Sequence, residues 1–398
     1  VAAIRIMAPQ VSRLVVVASN QGGCMAYATG RVFHDADSHV MEPADWLVPF
    51  AEGAMKDRLL RHDPPSTRPP VEIPKEKIIE GLIGGPKGKL AYGAFDPDER
   101  IRALEELGFA SQLVFPTSAL RPFRTSSEED VVYAGSRAAN RAMAAFCRDP
   151  RLLGVAYVPL DNPARALEEA QEAIRLGCRA IWTPSTPAGD KSPGHPDLDP
   201  FWALLAAKRI PFVLHIGAGS RTLPQAYVDN GKPKSPDLHG GGENLRFKDY
   251  VALPHSAEMF LGALIYDGVF DRHPELRGGV IEYGAYWVPG FLRQMDMGAR
   301  SFGRTDPYLQ KLSAKPSEII RRHVKFTPFP GEDAGYLIRD SGADLYMFSS
   351  DYPHPEGTND PIARFERTFE GISEADRDLF YRANFEQMMS MSMEGALQ

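Results

Sequence analysis

Eight short runs rich in β-branched and aromatic residues alternate with amphipathic stretches from Arg31 onward. Most of the runs are continuously apolar, as in a parallel sheet covered on both faces. No glycine-rich GxGxxG turn follows the first run, so a doubly wound nucleotide fold lacks its signature. Together these observations predict an α/β fold, a (β/α)8 TIM barrel with long insertions after strands 1 and 5.

The elements follow in order. "RVFHDADSH" reads as strand 1, and Asp96–Gly108 as a helix with an acidic first turn and a glycine stop. "SQLVFPT" is strand 2, followed by the alanine-rich helix "SEEDVVYAGSRAANRAMAAFCRD". "LLGVAYVPL" is strand 3, and "NPARALEEAQEAIRLG" supplies an N-cap, Pro at the first helical position and a closing Gly. "CRAIWTPS" with "DPFWALLAAKR" makes the fourth unit, and "PFVLHIG" with "SAEMFLGALIYDGVFDRHP" the fifth. "LRGGVIEYG", "VKFTPF" and "DLYMFSS" read as strands 6, 7 and 8, with helices at "WVPGFLRQMDMGARSF", "KPSEIIRRH" and "EDAGYLIRDSG".

Residues 31–398 read as a single barrel domain, with 51–95 and 218–254 as insertions. Both insertions run from a strand to its helix, which places them at the C-terminal mouth as lids or substrate walls. Residues 1–30 read as an N-terminal extension outside the fold, and Met25 as an alternative start. The chain has 398 residues, 43% hydrophobic and 24% charged, with a net charge of −7. That balance argues against nucleic acid or an anionic membrane as partner. No apolar run reaches the roughly 18 residues that cross a bilayer. Three scattered cysteines, Cys24, Cys147 and Cys178, form no disulfide framework and fit a reducing cytoplasm.

In "HDADSHV" the spacing puts Asp35, Asp37 and His39 on one strand face and His34 on the other. A TIM barrel places its chemistry at strand C-termini. Strand 1 ends in Asp37 and His39, strand 5 in His215, strand 6 in Glu282, and strand 8 runs into Asp351 and His354. A lone histidine ending a strand is ordinarily a core residue, and a lone Asp a turn former. Their joint arrival at one mouth is the pattern of a divalent-metal site, since buried carboxylates without a cation cost several kcal/mol or more. Mixed N/O donors suit Zn²⁺, Fe²⁺ or Mn²⁺, as one or two ions.

The order of these motifs resembles the amidohydrolase superfamily, in particular the branch that contains aminocarboxymuconate-semialdehyde and resorcylate decarboxylases. The resemblance spans about Arg31 to Met389 and rests on "DADSH", on His215, on "SSDYPH" and on "GVFDRHPELRGGVIEYGAYWVP". It implies Asp37, His39, His215 and Asp351 as metal ligands, a small-molecule substrate, and a homodimer. Two positions depart from the pattern. Glu282 stands where many members carry a strand-6 His, and strand 4 offers Thr183 rather than the lysine of dinuclear hydrolases.

An ionised Glu282 beside a cation suits a further metal ligand, with a metal-bound hydroxide attacking an acyl bond (amide, ester, thioester or lactone). Metal-dependent decarboxylation of an aromatic or unsaturated acid is the alternative, and a metal-free barrel binding protein the third reading. Catalytic candidates are Glu282, His255, Asp351 and His354, with His255 a third imidazole ligand, a proton shuttle or a loop histidine. Asp35 reads as a support one step deeper than Asp37. Trp182, Tyr283, Tyr286, Trp287 and Phe329 either wall the pocket or pack helices on the barrel. Arg121 and Arg124 either pair a substrate carboxylate or lie on the surface, and only His239 of the loop histidines is placed to enter the site.

Overall fold

A computed structural model of the chain describes residues 26–43, 45–52, 56, 87–218, 223–232, 248–354 and 357–391. Among the described residues, seven parallel strands form one sheet in chain order: β1 (His34–Val40), β2 (Ser111–Pro116), β3 (Leu152–Tyr157), β4 (Ala180–Trp182), β5 (Phe212–His215), β6 (Gly278–Ile281) and β7 (Val324–Phe326). Helices α1 (Pro97–Leu107), α2 (Glu129–Phe146), α3 (Pro163–Arg175), α4 (Asp199–Lys208), α5 (His255–Tyr266), α6 (Val288–Phe302), α7 (Pro316–His323) and α8 (Ala334–Ser341) cover it.

The capping signals act as expected. Asp96 accepts from the backbone of Asp98 and Glu99 to start α1, and Gly108 ends it at φ 72°. Asn162 accepts from Arg165 N to start α3, with Pro163 in the first turn.

The eighth segment is less regular than the expected strand. It begins with a 3₁₀ turn at Ala343–Leu345 and then bridges the two sheet edges at Phe326–Tyr346 and Ser38–Tyr352. Met347 N donates to Phe326 O, while Ala36 N donates to Phe348 O and His39 N to Tyr352 O, so the segment closes the barrel. It forms no full ladder because other acceptors take its amides. Phe348 N donates to Phe380 O of the C-terminal helical run, and Ser350 N to the Asp35 side chain.

Two apolar layers result. Leu113, Phe115, Val155, Trp182, Val213, Ile281 and Met347 share one cluster inside the barrel with Phe385 and Met388. Val114, Ala156, Ile181, Leu214, Val280 and Phe326 alternate with them and pack against the helices.

A β-bulge in β1 corrects the expected strand face. Asp35 pairs Gln112 and Ser38 pairs Val114, so three steps on β1 match two on β2. Asp35 and Ser38 therefore turn toward α1, while Ala36, Asp37 and His39 turn into the barrel. His34, expected to face outward, stacks on Phe385 at 5.0 Å and lies 2.8 Å from Ser111 Oγ through Nδ1.

Most of the two predicted insertions, His239 among them, lies outside the described residues. Tyr27 and Ala28, within the stretch expected to lie outside the fold, donate backbone bonds to Glu106 O and Leu107 O of α1. Among the described residues no helix is long and apolar enough to cross a membrane.

Candidate metal centre

Four strand ends bring donors together. One ligand atom each from Asp37, His39, His215 and Glu282 falls within a group whose members all lie within 4.8 Å of one another, all buried. His39, Asp351 and His354 form a second such group. Six of the seven candidate site residues thus converge on one mouth. His255, the seventh, opens α5, is exposed, and belongs to neither group.

The backbone explains how Glu282 arrives. Ile281 points into the barrel, so strict alternation would send Glu282 toward the helices. Instead Glu282 leaves the strand at φ 61°, and its Oε2 comes within 3.2 Å of His215 Nε2. Asp351 is also left-handed, at φ 48°. Such backbone costs a non-glycine residue of order 1–3 kcal/mol and persists only where its surroundings hold it.

Neighbouring side chains hold this backbone in place. Glu282 N donates to Thr327 Oγ1 at 3.1 Å. Gly284 follows at φ 64°, and the Glu332 carboxylate then accepts from Ala285 N, Tyr286 N and Phe329 N at 2.8–2.9 Å. Glu42 does the same between strands 1 and 2, accepting from Thr117 N at 2.7 Å and Ser118 N at 2.8 Å. Glu332 and Glu42 escaped sequence reasoning, because a lone glutamate in a loop looks like a solvated charge. Their only signal was position, each a few residues beyond a strand end.

The electrostatics ask for a cation. His215 Nδ1 lies 3.0 Å from Ile216 O, and since a carbonyl only accepts, that nitrogen carries the hydrogen. In the neutral ring Nε2 is then a bare lone pair, yet it faces Asp37 Oδ1 at 3.3 Å and Glu282 Oε2 at 3.2 Å. Three electron-rich atoms at that spacing repel unless a proton or metal ion lies among them. His39 makes the same demand. It is fully buried, and among the described residues neither ring nitrogen has a hydrogen-bond partner, although Nε2 stands 3.2 Å from Asp37 Oδ1 and 3.7 Å from Asp351 Oδ1.

Burial and the neighbouring His354 push His39 down to about 4, so its imidazole is neutral at pH 7, as a metal ligand must be. Burial works to raise Asp37, and only positive charge on the His215 and His39 side, a ring proton or a metal ion, holds its carboxyl well below the usual range. These residues fit a divalent ion.

Around this group stands an apolar and aromatic wall. Phe115 and Trp182 place their rings 4.4 Å and 5.1 Å from His215. Tyr283 OH donates to His215 O at 3.3 Å, which steadies the backbone of that residue. Trp287 packs instead on Phe291 and Phe326, and Phe329 on Tyr250. His354 Nδ1 lies 2.9 Å from Asp351 Oδ1, and its Nε2 lies 3.3 Å from Thr117 Oγ1.

The amidohydrolase family model (Amidohydro_2) matches residues 35–386, from the bulged strand to the C-terminal run. The chain belongs to the amidohydrolase family. None of the curated proteins compared with it matches in sequence. Among solved structures, it is similar to an amidohydrolase from Mycobacterium avium subsp. paratuberculosis K-10, at 23% identity and TM-score 0.69, covering 91% of this chain and 100% of that one. It is also similar to 5-carboxyvanillate decarboxylase from Sphingomonas paucimobilis, at 20% identity and TM-score 0.59 over 91% and 99% of the two chains. A dihydroxybenzoic acid decarboxylase from Polaromonas sp. JS666, solved with manganese and the inhibitor 2-nitroresorcinol, is 18% identical with TM-score 0.56 over 91% and 97%. At these identities the likeness shows the fold. The family's barrel thus stands behind the expected α/β architecture.

Proposed function

We propose that this amidohydrolase-family protein is a divalent-metal-dependent, non-oxidative decarboxylase of an aromatic or unsaturated carboxylic acid. The observation that carries the reading is one compact donor group, Asp37, His39, His215 and Glu282, with the Asp351–His354 pair standing beside it at 2.9 Å. A group of that size suits one ion. The strand-4 end, where a bridging lysine would hold a second, carries Trp182 and Thr183.

A bound divalent ion such as Mn²⁺, Zn²⁺ or Fe²⁺ would supply positive charge that holds the substrate's oxygens and withdraws electron density from the carbon that loses CO₂. The chain's own residues do the rest. Phe115 and Trp182 offer flat apolar surface to a ring and keep water from it. The C–C bond breaks with its electron pair left on the substrate carbon, and the Asp351–His354 pair delivers the proton that completes the new C–H bond. One proton is consumed and one CO₂ released. The likeness to decarboxylases of hydroxylated benzoic acids, one of them holding manganese, supports this reading.

A second reading, hydrolysis of an amide, ester, thioester or lactone, is favoured by Glu282, a buried carboxylate 3.2 Å from His215 Nε2 and placed to take a proton from an attacking water. One experiment separates the two. Protein at defined Mn²⁺, Zn²⁺ or Fe²⁺ occupancy is offered aromatic acids with CO₂ release as readout, and thioesters and amides with hydrolysis as readout. Decarboxylation in D₂O leaves one deuterium on the vacated carbon, and His215→Ala abolishes it. Hydrolysis without CO₂ release transfers the assignment to the second reading, and full activity without metal refutes both.

A further inference from the structure

We propose that Arg100 and Gln112 are positioning residues that hold the two sides of the donor cluster in register from behind it; this rests on the metal reading above. Arg100, on α1, is completely buried, and every hydrogen bond it makes among the described residues goes to a neutral acceptor. Its Nη1 donates to the carbonyl of His39 at 2.8 Å, its Nη2 to Ser38 Oγ at 2.7 Å, and its Nε to Gln112 Oε1 at 3.0 Å. The other end of Gln112 donates from Nε2 to Asp35 Oδ2 at 2.8 Å. Asp35 in turn accepts from the backbone N of Ser350 at 2.8 Å and from its hydroxyl at 2.7 Å.

Ser350 precedes Asp351 in the chain, and Tyr352 follows it. The Arg100 guanidinium lies over the Tyr352 ring at 4.4 Å. One buried chain of groups therefore grips the backbone of His39 on strand 1 and both neighbours of Asp351 on the closing segment. The Gln112 amide can occupy only one orientation. Turned over, it would present its NH₂ to the guanidinium and its oxygen to the Asp35 carboxylate, losing both bonds. The charge of Arg100 is thereby balanced by Asp35 across a single amide, without placing a cation among the metal ligands.

The bulge in β1 makes this possible, since it aims Asp35 and Ser38 at α1 while Asp37 and His39 stay inside. A purely architectural network would tie strands anywhere along the seam. This one ends on the residues that flank the ligands at the mouth.

The test titrates Mn²⁺ into metal-free full-length protein by calorimetry, with near-UV circular dichroism and thermal midpoint read on the same samples. Gln112→Met keeps the side-chain length and removes both amide bonds; Ser350→Ala removes the hydroxyl bond to Asp35 and the 3.3 Å bond from Tyr352 N, and leaves the Ser350 N bond to Asp35 in place. Gln112→Met is expected to bind Mn²⁺ about 10–100-fold more weakly than wild type while its near-UV spectrum is retained. Ser350→Ala is expected to lie between the two. Wild-type Mn²⁺ affinity in both variants, whatever their thermal midpoints, overturns the proposal. If the wild type itself shows no Mn²⁺ binding that Asp37→Asn abolishes, the metal reading falls and this one with it.

Discussion

Replacing Glu332 by Ala removes the acceptor for three backbone amides at once. Its carboxylate bonds Ala285 N at 2.8 Å, Tyr286 N at 2.9 Å and Phe329 N at 2.8 Å. A hydrogen bond to a charged group contributes about 1.5–3 kcal/mol, so independent bonds would sum to roughly 4.5 kcal/mol or more. The three share one carboxylate and do not add independently. Water can also replace the partner at Tyr286, a residue 53% exposed. Ala285 is completely buried and has no such recourse. The expected loss is therefore about 3–4 kcal/mol, a large share of a typical 5–15 kcal/mol total. Glu332→Gln keeps one carbonyl oxygen and should lose about half of that. Urea unfolding followed by fluorescence gives both numbers. The same samples should bind Mn²⁺ more weakly, because the elbow of Glu282 and Gly284 leans on these amides. A Glu332→Ala protein within about 1 kcal/mol of wild type would show that the elbow is held by something other than this carboxylate.

Two further outcomes follow from buried groups elsewhere. Burial lowers Lys325 from an ordinary 10.5 to about 8 in the folded chain. Between those values the unfolded chain binds the proton that the native one has released, so stability rises with pH across that window and is lowest below pH 8. At about 1.4 kcal/mol per pH unit the full rise is about 3.5 kcal/mol, and the stability difference between wild type and Lys325→Met in urea unfolding should change between pH 7.5, 9 and 10; parallel curves would refute it. A Cβ at Gly278 would stand 2.2 Å from the Phe212 ring on the neighbouring strand, so Gly278→Ala should cost about 1–3 kcal/mol in urea unfolding. A loss under about 0.5 kcal/mol would mean that the ring has room to move.

The barrel was legible because its signals are local. Asp96 and Gly108 bound α1, Asn162 and Pro163 start α3, and apolar runs mark the strands, each readable within a few residues. The donor set was legible for another reason: buried polar residues at strand ends are conspicuous against an apolar background. What stayed hidden depends on backbone geometry or on distant partners. The closing segment read as a strand because its composition is that of one. Its amides go to Phe380 O and Asp35, which no local pattern reveals. Arg100 and Gln112 looked like one polar residue each on a helix and a strand, because their bonds connect positions far apart in sequence.

The bulge shows most clearly how residues read from a wrong face can still converge. Period-two reading put Asp35 on the same face as Asp37 and His39, one step deeper in the barrel. One extra residue in β1 splits the set. Asp37 and His39 keep the inside, where His215 and Glu282 meet them, and Asp35 takes the outside, where it accepts from Gln112 and Ser350. A regular strand would bring a further carboxylate to a site that already gathers Asp37, Glu282 and Asp351, and would leave Ser350 without its acceptor. The irregularity therefore lowers the negative charge the ion must balance and converts the surplus carboxylate into a clamp on the residue before Asp351. Restoring the regular register by deleting one residue of the bulge should accordingly cost both the clamp and the site.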